Sequence, residues 1–379
     1  MPFEPVAGQT DFTATSFRAW AEDTAARRSA LIASQRPRVL LGAGSVLAQD
    51  FVRRTLAEGQ VAALVDNARA GQTQDGHPVI GDGDLPALLD RLDNPIGVLC
   101  CSSHAAIDHF IRLWGERPVV FFFDVMRDWP PEALNGSPLG FIPGFSDIDG
   151  VLAAHAAARG LLSDNLSRAT LDALMLYRLT WDARYLMPVS RPERAIYFEP
   201  DVMPLSAEEV FIDGGAYDGD TVRDFVTKTQ GRYRHIHAFE FDPVNAADFR
   251  RKTAGMDRLN LHTCGLWDGP AELGLEHRAD NCSRVSVNAT TTVPLDALDN
   301  MDVGVPSLIK LDIEGAERQA LQGARRLIGT HKPKLAISVY HRHDDFVTLT
   351  ETIRSMRDDY SFSLRHYSQL IFDSVLYAV

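Results

Sequence analysis

Apolar runs and helical spacing divide the chain into two α/β stretches. The first begins at PRVLLGAGS, where an apolar strand runs into glycines, and continues through the helical AQDFVRRTLAEG to a second strand, VAALVD. Further strands are predicted at IGVLCC and PVVFFFDV, with a helix over AAIDHFIRLWG between them. This alternation of strands and helices predicts a small parallel sheet that ends near residue 125 to 150.

A segment rich in Pro, Gly, Ser and Asp follows from Pro130 to Gly150 and is the candidate connection between two domains. After it comes a helical region, VLAAHAAARGLLSDNLSRATLDALMLYRLTWDARYL, in which Ser163 and Ser167 are the predicted caps. Apolar residues recur there on one helical face, at Leu171, Leu174, Met175 and Leu179. We expect that face to pack on the part of the chain that follows.

The second α/β stretch begins after Pro204 and is larger. Its predicted strands are EVFIDGG, HIHAFEFD, LNLHTCGL, SLIKLDI, KLAISVYH, YSFSLRHY and LIFDSVLYAV, with helices between most of them. Only Ser368 and Gln369 separate the last two strands, which predicts a hairpin and an antiparallel edge on an otherwise parallel sheet. We therefore predict a doubly wound C-terminal sheet closed by an antiparallel hairpin, with a smaller Rossmann-like α/β domain before it.

Composition narrows the class of protein. The chain has 379 residues, of which 45 % are hydrophobic, so two domains are expected. A net charge of -13 disfavours nucleic acid as a partner, because such binding draws on clustered basic residues. No apolar run approaches the roughly 18 residues that span a bilayer, and no signal peptide is evident, so a cytoplasmic location is expected. The four cysteines lack metal-binding spacing and are expected to be reduced thiols.

The strongest chemical signal is VFIDGGAYDGDT, residues 210–221, where a strand delivers Asp213, Gly214 and Gly215 into a turn before a helix. Glycines let the backbone approach a ligand closely, and the helix N-terminus offers free N–H groups. A carboxylate at the end of the strand repels phosphate and attracts an ammonium group. The motif therefore favours S-adenosylmethionine (SAM) over NAD, although a tight turn that binds no ligand has the same pattern.

An acidic residue also ends the next strand, in HAFEFDP. Glu240 stands where nucleotide-binding sheets place a carboxylate that accepts hydrogen bonds from ribose hydroxyls. Asp242 and Pro243 suit a helix cap and first helical residue. The alternative for Glu240 is a surface acid before that helix.

Two further motifs supply candidate chemistry. In IKLDIEGAE, Asp312 and Glu314 follow a central strand and are expected to point into the ligand crevice, unless Glu314 and Glu317 only favour a helix N-terminus. In SVYHRHDD, His341 and His343 follow the next strand, and a histidine there suits a proton acceptor or an ordinary hydrogen-bonded side chain. His341, Asp312 and Glu314 could alternatively converge on a divalent metal, but no tight ligand spacing supports it, so no metal site is assigned.

These ordered motifs, with LSDNLSRATLDALMLYRLTWD, YFEPDVMPLSAEEV and PLDAL, resemble the FkbM-type methyltransferases over about residues 160 to 379. The resemblance implies a class I SAM-binding fold and transfer of a methyl group to a hydroxyl of a sugar, glycan or polyketide-type metabolite, free or linked to a carrier. It implies that the segment from Asp312 to Glu317 lies beside the transfer site. Together with the histidine that follows the next strand, this makes Asp312, Glu314 and His341 the predicted catalytic residues. The predicted cofactor-binding residues are Asp213, Gly214, Gly215, Tyr217, Asp218, Thr221, Glu240 and Phe241.

The N-terminal stretch is similar to the sugar-nucleotide-binding domain that precedes some bacterial sugar acyltransferases, in the run VDNARAGQTQDGHPVIG with Asp66 at its start. Its LGAGSVLAQDF departs from GxGxxG at Leu47. We expect residues 1–150 to form this domain, 151–205 a helical linker and 206–379 the methyltransferase domain, with a homo-oligomer left open. The competing functions are an NAD-dependent sugar enzyme, disfavoured because no lysine precedes Lys228, and a non-catalytic nucleotide-sugar-binding protein.

Overall fold

The computed structural model describes residues 26–27, 29–45, 48–101, 103–126, 148–180, 185–277, 283–286, 291–342 and 344–379. Most of the predicted connecting segment from Pro130 to Gly150, and also Leu47 and His343, lie outside these residues. Among the described residues, no helix combines the length and the apolar character that crossing a bilayer requires.

Six strands form the N-terminal sheet, in the order β3-β4-β2-β1-β5-β6. The β1-β2, β1-β5, β2-β4 and β5-β6 pairs are parallel, and β3 pairs antiparallel with β4. The strands are β1 (Arg38–Leu41), β2 (Val61–Val65), β3 (Thr73–Gln74), β4 (His77–Ile80), β5 (Ile96–Leu99) and β6 (Val119–Phe121). The helices are α1 (Gln49–Ala57), α2 (Leu85–Leu89), α3 (His104–Trp114) and α4 (Phe122–Met126). The sheet forms as its apolar runs predict, because β1 and β5 are buried along their whole length.

The helical region divides into α5 (Ile148–Leu161) and α6 (Asn165–Thr180). The predicted caps Ser163 and Ser167 are wrong: Asp164 accepts a hydrogen bond from the Ser167 backbone N–H at 2.8 Å, since its carboxylate lies just before the first turn of α6. Ser167 instead donates its hydroxyl to Asp164 and accepts from the Leu364 backbone at 2.9 Å. Helix α6 therefore packs on the C-terminal sheet, as its apolar face predicts.

Seven strands form the C-terminal sheet, in the order β16-β17-β15-β14-β7-β8-β9. They are β7 (Val210–Gly214), β8 (His235–Phe239), β9 (Leu259–His262), β14 (Leu308–Leu311), β15 (Lys334–Ser338), β16 (Phe362–His366) and β17 (Ser374–Ala378). The helices are α7 (Asp220–Lys228), α8 (Pro243–Lys252), α9 (Glu317–Gly323), α10 (Arg325–His331) and α11 (Asp345–Arg354). The order reverses at β7, so a crevice lies between the carboxyl ends of β7 and β14.

The terminal hairpin is present, but two details of its prediction are wrong. Residues 367–373 connect its strands, rather than Ser368 and Gln369 alone. The antiparallel strand is β17, which lies between β15 and the edge strand β16. The hairpin places its second strand against β15, because β17 is buried at every position and its backbone bonds to both neighbours.

A four-stranded sheet that the sequence pattern did not predict lies between β9 and β14 in the chain, in the order β10-β13-β11-β12. Its strands are β10 (Gly265–Leu266), β11 (Ala271–His277), β12 (Ser283–Ser286) and β13 (Thr291–Asp296). The predicted strand LNLHTCGL is therefore divided between two sheets, β9 in the large sheet and β10 in the small one.

Alternate residues of β7 face two apolar clusters. Ile212 belongs to a cluster that continues through Leu171 and Leu174 of α6 to residues of the N-terminal sheet. Phe211 belongs to the cluster on the other face, where its ring stacks on Phe225 with centroids 4.6 Å apart. Strand β7 is thus packed on both faces, which holds its carboxyl end in a fixed position.

Candidate functional site

The predicted site residues meet at the carboxyl edge of the C-terminal sheet. Asp213 lies in β7, Glu240 follows β8, Asp312 follows β14 and His341 follows β15. These strands are neighbours in the sheet, and parallel strands end at the same edge. The sheet therefore brings together side chains that are far apart in the sequence.

The turn after β7 requires glycine at Gly215. Its φ is +76°, and a Cβ there would lie 1.9 Å from the carbonyl oxygen of Asp312. The Gly215 and Ala216 N–H groups both donate to the carbonyl of Phe239, at 3.1 and 3.0 Å, which ties this turn to the end of β8. Tyr217 follows with a φ of +45° and is 39 % exposed. A side chain at position 215 would therefore disrupt the packing of this turn on the ends of β8 and β14.

Asp213 is completely buried and has a cation beside it. Lys310 Nζ lies 2.9 Å from Asp213 Oδ1 and donates to the carbonyls of Gly214 at 3.0 Å and Gly215 at 2.8 Å. Burial raises the pKa of Asp213 to about 6, because the charge of Lys310 offsets only part of the desolvation. Burial alone would lower the pKa of Lys310, but Asp213 and Asp312 outweigh it and raise that pKa above its ordinary value. Lys310 therefore competes with any ligand ammonium group for Asp213.

Glu240 is buried and bonds to the backbone on both sides. Its Oε2 accepts from the N–H of Tyr217 at 2.9 Å, and its Oε1 accepts from the N–H of Asp242 at 2.7 Å. Burial raises the pKa of Glu240 to about 7, although these backbone hydrogen bonds lower it. Each carboxylate oxygen has a second lone pair, so Glu240 can still accept from a ligand hydroxyl. The predicted cap is confirmed, since Asp242 accepts from Val244 at the start of α8.

The other predicted cofactor residues lie around this turn. Asp218 contacts Arg223 and Lys252 through its side chain, and the Thr221 N–H donates to Asp220 at 2.7 Å. Phe241 is half-buried and packs against the apolar cluster of the small sheet. Their contact with a cofactor stays a prediction.

Two tyrosine hydroxyls hold the carboxylate of Asp312. Tyr197 donates to Oδ2 at 2.6 Å and Tyr340 donates to Oδ1 at 3.0 Å. Burial would raise the pKa of Asp312, but the charges of His341 and Lys310, together with these hydroxyls, hold it below its usual range. Burial raises the pKa of both tyrosines well above their ordinary value, and Asp312 adds to that effect. Asp312 is thus a fixed anion at the end of β14.

His341 is buried among carboxylates. Its Nδ1 lies 3.0 Å from Glu317 Oε1, and its Nε2 lies 3.5 Å from Asp312 Oδ1 and 3.8 Å from Glu314 Oε2. Burial by itself would lower the pKa of His341, but these carboxylates outweigh it and raise the pKa to about 10. These neighbours favour the protonated imidazole, and the role of His341 as a proton acceptor stays a prediction.

Sequence reasoning missed two residues of the site, Tyr197 and Tyr340. Tyr197 lies 115 residues before Asp312, and nothing in its local sequence indicates that contact. Tyr340 immediately precedes His341 in the SVYH motif, so its position at the end of the strand was a signal for a site residue. Glu317 begins α9 and accepts from the Ile313 N–H at 2.9 Å, so the helix-terminus role that the sequence left open for Glu317 is observed.

In the N-terminal sheet, Asp66 follows β2 and already has internal partners. It accepts from the Ala68 N–H at 2.9 Å and from Arg69 Nε at 2.9 Å. A Cβ on Gly44 would lie 2.1 Å from Asp66 Oδ2, so the first turn of this sheet packs directly on that carboxylate. Binding of a sugar nucleotide here stays a prediction.

The fold and the strand-end site together define a doubly wound α/β protein whose candidate ligand site lies at the carboxyl edge of the C-terminal sheet. Residues 213–364 match the family model described as the methyltransferase FkbM domain. This segment is therefore an FkbM methyltransferase domain, and the resemblance indicated by the sequence motifs is confirmed.

Solved structures include a match over nearly the whole chain. The crystal structure of methyltransferase FkbM from Methylobacillus flagellatus is 25 % identical, with a TM-score of 0.69, and the match covers 96 % of this chain and 98 % of that one. Fibrillarin from Aeropyrum pernix with bound S-adenosyl-L-methionine is 12 % identical, covering 50 % of this chain and 75 % of that one, with a TM-score of 0.33. No curated protein matches the chain significantly.

Proposed function

We propose that this protein is a SAM-dependent O-methyltransferase that acts on a hydroxyl of a sugar, glycan or polyketide-type metabolite. The observation that carries the proposal is the juxtaposition of the Gly215 turn with Glu240 at the ends of adjoining strands, within a segment that belongs to the FkbM methyltransferase domain. When bound, SAM supplies an electrophilic methyl group, which an acceptor oxygen takes while the electron pair of the broken carbon–sulfur bond stays on sulfur.

The residues present fit such a cofactor. Gly215 keeps the turn free of side-chain atoms, and Glu240 offers lone pairs for ribose hydroxyls. Asp213 Oδ2 is buried and makes no hydrogen bond within the described residues, so this carboxylate retains acceptor capacity beside Lys310. We propose that Tyr217, Asp218, Thr221 and Phe241 border the same site.

The acceptor hydroxyl would stand beyond the ends of β14 and β15, near Asp312, Glu314 and His341. Transfer of a methyl group depends chiefly on alignment of the acceptor oxygen, and Asp312 is held rigidly by Tyr197 and Tyr340. The hydroxyl also has to lose a proton, since an alcohol is a weak nucleophile. We assign Asp312 to receive that proton, since Tyr197 and Tyr340 fix its carboxylate at the end of β14.

The proposed domain organisation assigns residues 1–150 to a domain that binds the substrate or a sugar nucleotide, 151–205 to a helical linker and 206–379 to catalysis. Asp66 already bonds to Ala68 and Arg69, so binding of a sugar nucleotide by the N-terminal domain has to be tested directly. Calorimetric titration with UDP-sugars tests it, and absence of binding heat would end it.

The test of the main proposal is calorimetric titration of the full-length protein with SAM and, separately, with NAD. We expect saturable binding of SAM, strongly weakened in Glu240→Gln, which removes the charge but keeps the shape of the side chain. The matched control is Glu208→Gln, an exposed acid paired with Arg234 on the surface. Binding of NAD alone would favour the NAD-dependent sugar enzyme, and absence of both would favour a non-catalytic binding protein.

A second measurement tests the chemistry. Protein incubated with methyl-labelled SAM and a panel of hydroxylated sugars and polyketide-type compounds should yield a labelled O-methyl product, identified by NMR. Label found on nitrogen or carbon would refute O-methylation while leaving the methyltransferase class intact.

A further inference from the structure

Four side chains that can bind a metal ion meet beyond the ends of β14 and β15. Oxygen atoms of Asp312 and Glu317 and a ring nitrogen of His341 all lie within 4.8 Å of one another. Glu314 also approaches, with its Oε2 3.8 Å from His341 Nε2. This group lies beside the place that the proposed function assigns to the acceptor hydroxyl.

His341 is buried, and one of its two ring nitrogens lacks a hydrogen bond. The residue is 8 % exposed, and its Nε2 makes no hydrogen bond to any part of the chain that the structure describes, whereas Nδ1 lies 3.0 Å from Glu317 Oε1. Nε2 points at Asp312 and Glu314 from 3.5 and 3.8 Å, which is beyond hydrogen-bonding range. A buried polar group of this kind is costly unless another partner satisfies it.

The distances distinguish a ligand set from a simple ion pair. A charge-assisted hydrogen bond between an imidazole and a carboxylate brings the heavy atoms to about 2.7–2.9 Å. The distance of 3.5 Å between His341 Nε2 and Asp312 Oδ1 is too long for that bond. Two ligands that each bind a metal at about 2.1 Å stand roughly 3.0–3.5 Å apart. The spacing of His341 and Asp312 agrees with this, and Glu314, at 3.8 Å from His341, has to move slightly closer to bind the same ion.

We propose that His341 Nε2, Asp312 and Glu314 hold a divalent cation, an inference that rests on the proposed function for its role. Glu317, 3.0 Å from Nδ1 on the other side of the ring, would orient the imidazole toward the cation. One nitrogen and two carboxylate donors suit Mn²⁺, Fe²⁺ or Zn²⁺ better than Ca²⁺, which prefers a shell of oxygens. Three protein ligands leave positions open for a substrate oxygen.

A cation at this position explains how the acceptor is activated. A hydroxyl in contact with a divalent cation has a lowered pKa, so it loses its proton to solvent more readily and the oxygen becomes a better nucleophile. His341 then acts as a ligand and Asp312 binds the cation, so with the cation present solvent takes the place of Asp312 as the group that receives the proton. Glu317 is a positioning residue, because it acts through His341.

The experiment uses full-length protein that has been treated with a chelator and dialysed. Mn²⁺ is added as MnCl₂, and the free ion is measured by electron paramagnetic resonance. We expect one Mn²⁺ per chain, lost in Asp312→Asn and His341→Gln and weakened about 10–100-fold in Glu317→Gln. The control Asp248→Asn removes an exposed carboxylate paired with Arg251 and should bind as the unaltered protein does. Circular dichroism checks that each variant is folded.

Glu314→Gln keeps the test decisive if the His341 variant does not fold, since the Glu314 side chain is 33 % exposed and its change disturbs no core. Absence of stoichiometric Mn²⁺ binding, or equal binding by Asp312→Asn and Asp248→Asn, overturns the metal site. SAM binding is measured by calorimetry on the same preparations. If the protein binds SAM but does not bind Mn²⁺, only the metal proposal is overturned. If it binds Mn²⁺ but does not bind SAM, the proposed function is overturned and the metal site stands.

Discussion

Replacement of Lys310 by methionine tests whether the buried ion pair beneath the glycine turn is structural. Lys310 and Asp213 side chains are 2 % and 0 % exposed, and Nζ lies 2.9 Å from Oδ1, so solvent screens the pair very little. Methionine keeps most of the side-chain volume while it removes the charge. The carbonyls of Gly214 and Gly215 lose their donor at the same time.

The expected loss of stability is large because one charge is left buried alone. Breaking a buried pair by removal of one partner costs about 3–5 kcal/mol in the free energy of unfolding. Without Lys310 the folded-state pKa of Asp213 rises further above its value in the unfolded chain. The variant therefore keeps its stability at low pH and loses it as the pH rises through that raised pKa, so the deficit grows between pH 5 and pH 8.

Urea unfolding followed by circular dichroism measures this effect at both pH values. Lys228→Met is the control, since Lys228 forms an i,i+4 pair with Asp224 near the surface and should cost only about 0.5 kcal/mol. The double variant Asp213→Asn with Lys310→Met should recover part of the loss, because no buried charge remains. A loss below about 1 kcal/mol in Lys310→Met, or one that does not depend on pH, would refute the argument.

Three further predictions concern the same sheet. Gly215→Ala should abolish SAM binding, because its Cβ would lie 1.9 Å from the Asp312 carbonyl oxygen, and unchanged SAM affinity in calorimetry would contradict this. The control Gly231→Ala, at a similar φ of +70° with open space around it, should lower the free energy of unfolding by only about 1–2 kcal/mol. The pKa of Glu240 is raised to about 7, so its contribution to stability is full below pH 4.5 and is lost as the pH rises through 7. Glu240→Gln should remove this change in the free energy of unfolding, which amounts to roughly 3 kcal/mol, and urea unfolding with the same pH profile in the variant and the unaltered protein would count against it. Phe211→Ala should cost about 3–5 kcal/mol because Phe211 is fully buried against Phe225, and a thermal melt close to that of the unaltered protein would show that the cluster collapses to fill the space.

Most strands and helices of the larger sheet were predictable because their signals are local. The apolar strand before Asp213, the glycines after it and the Asp242 cap can each be recognised within a few residues. The small sheet was not predictable, since β10 pairs with β13 and β11 pairs with both β12 and β13. Pairing between strands depends on contacts that no single stretch of sequence contains.

The sequence by itself determined that acidic residues and glycines follow successive strands, because that pattern depends on neighbouring positions in the chain. The tertiary structure decided which of them meet: the strand order places Lys310 on Asp213, Tyr197 on Asp312 and His341 among three carboxylates. It also decided the charge of these groups. Burial and distance set the pKa of a side chain, and both exist only once strands that are far apart in the sequence lie side by side.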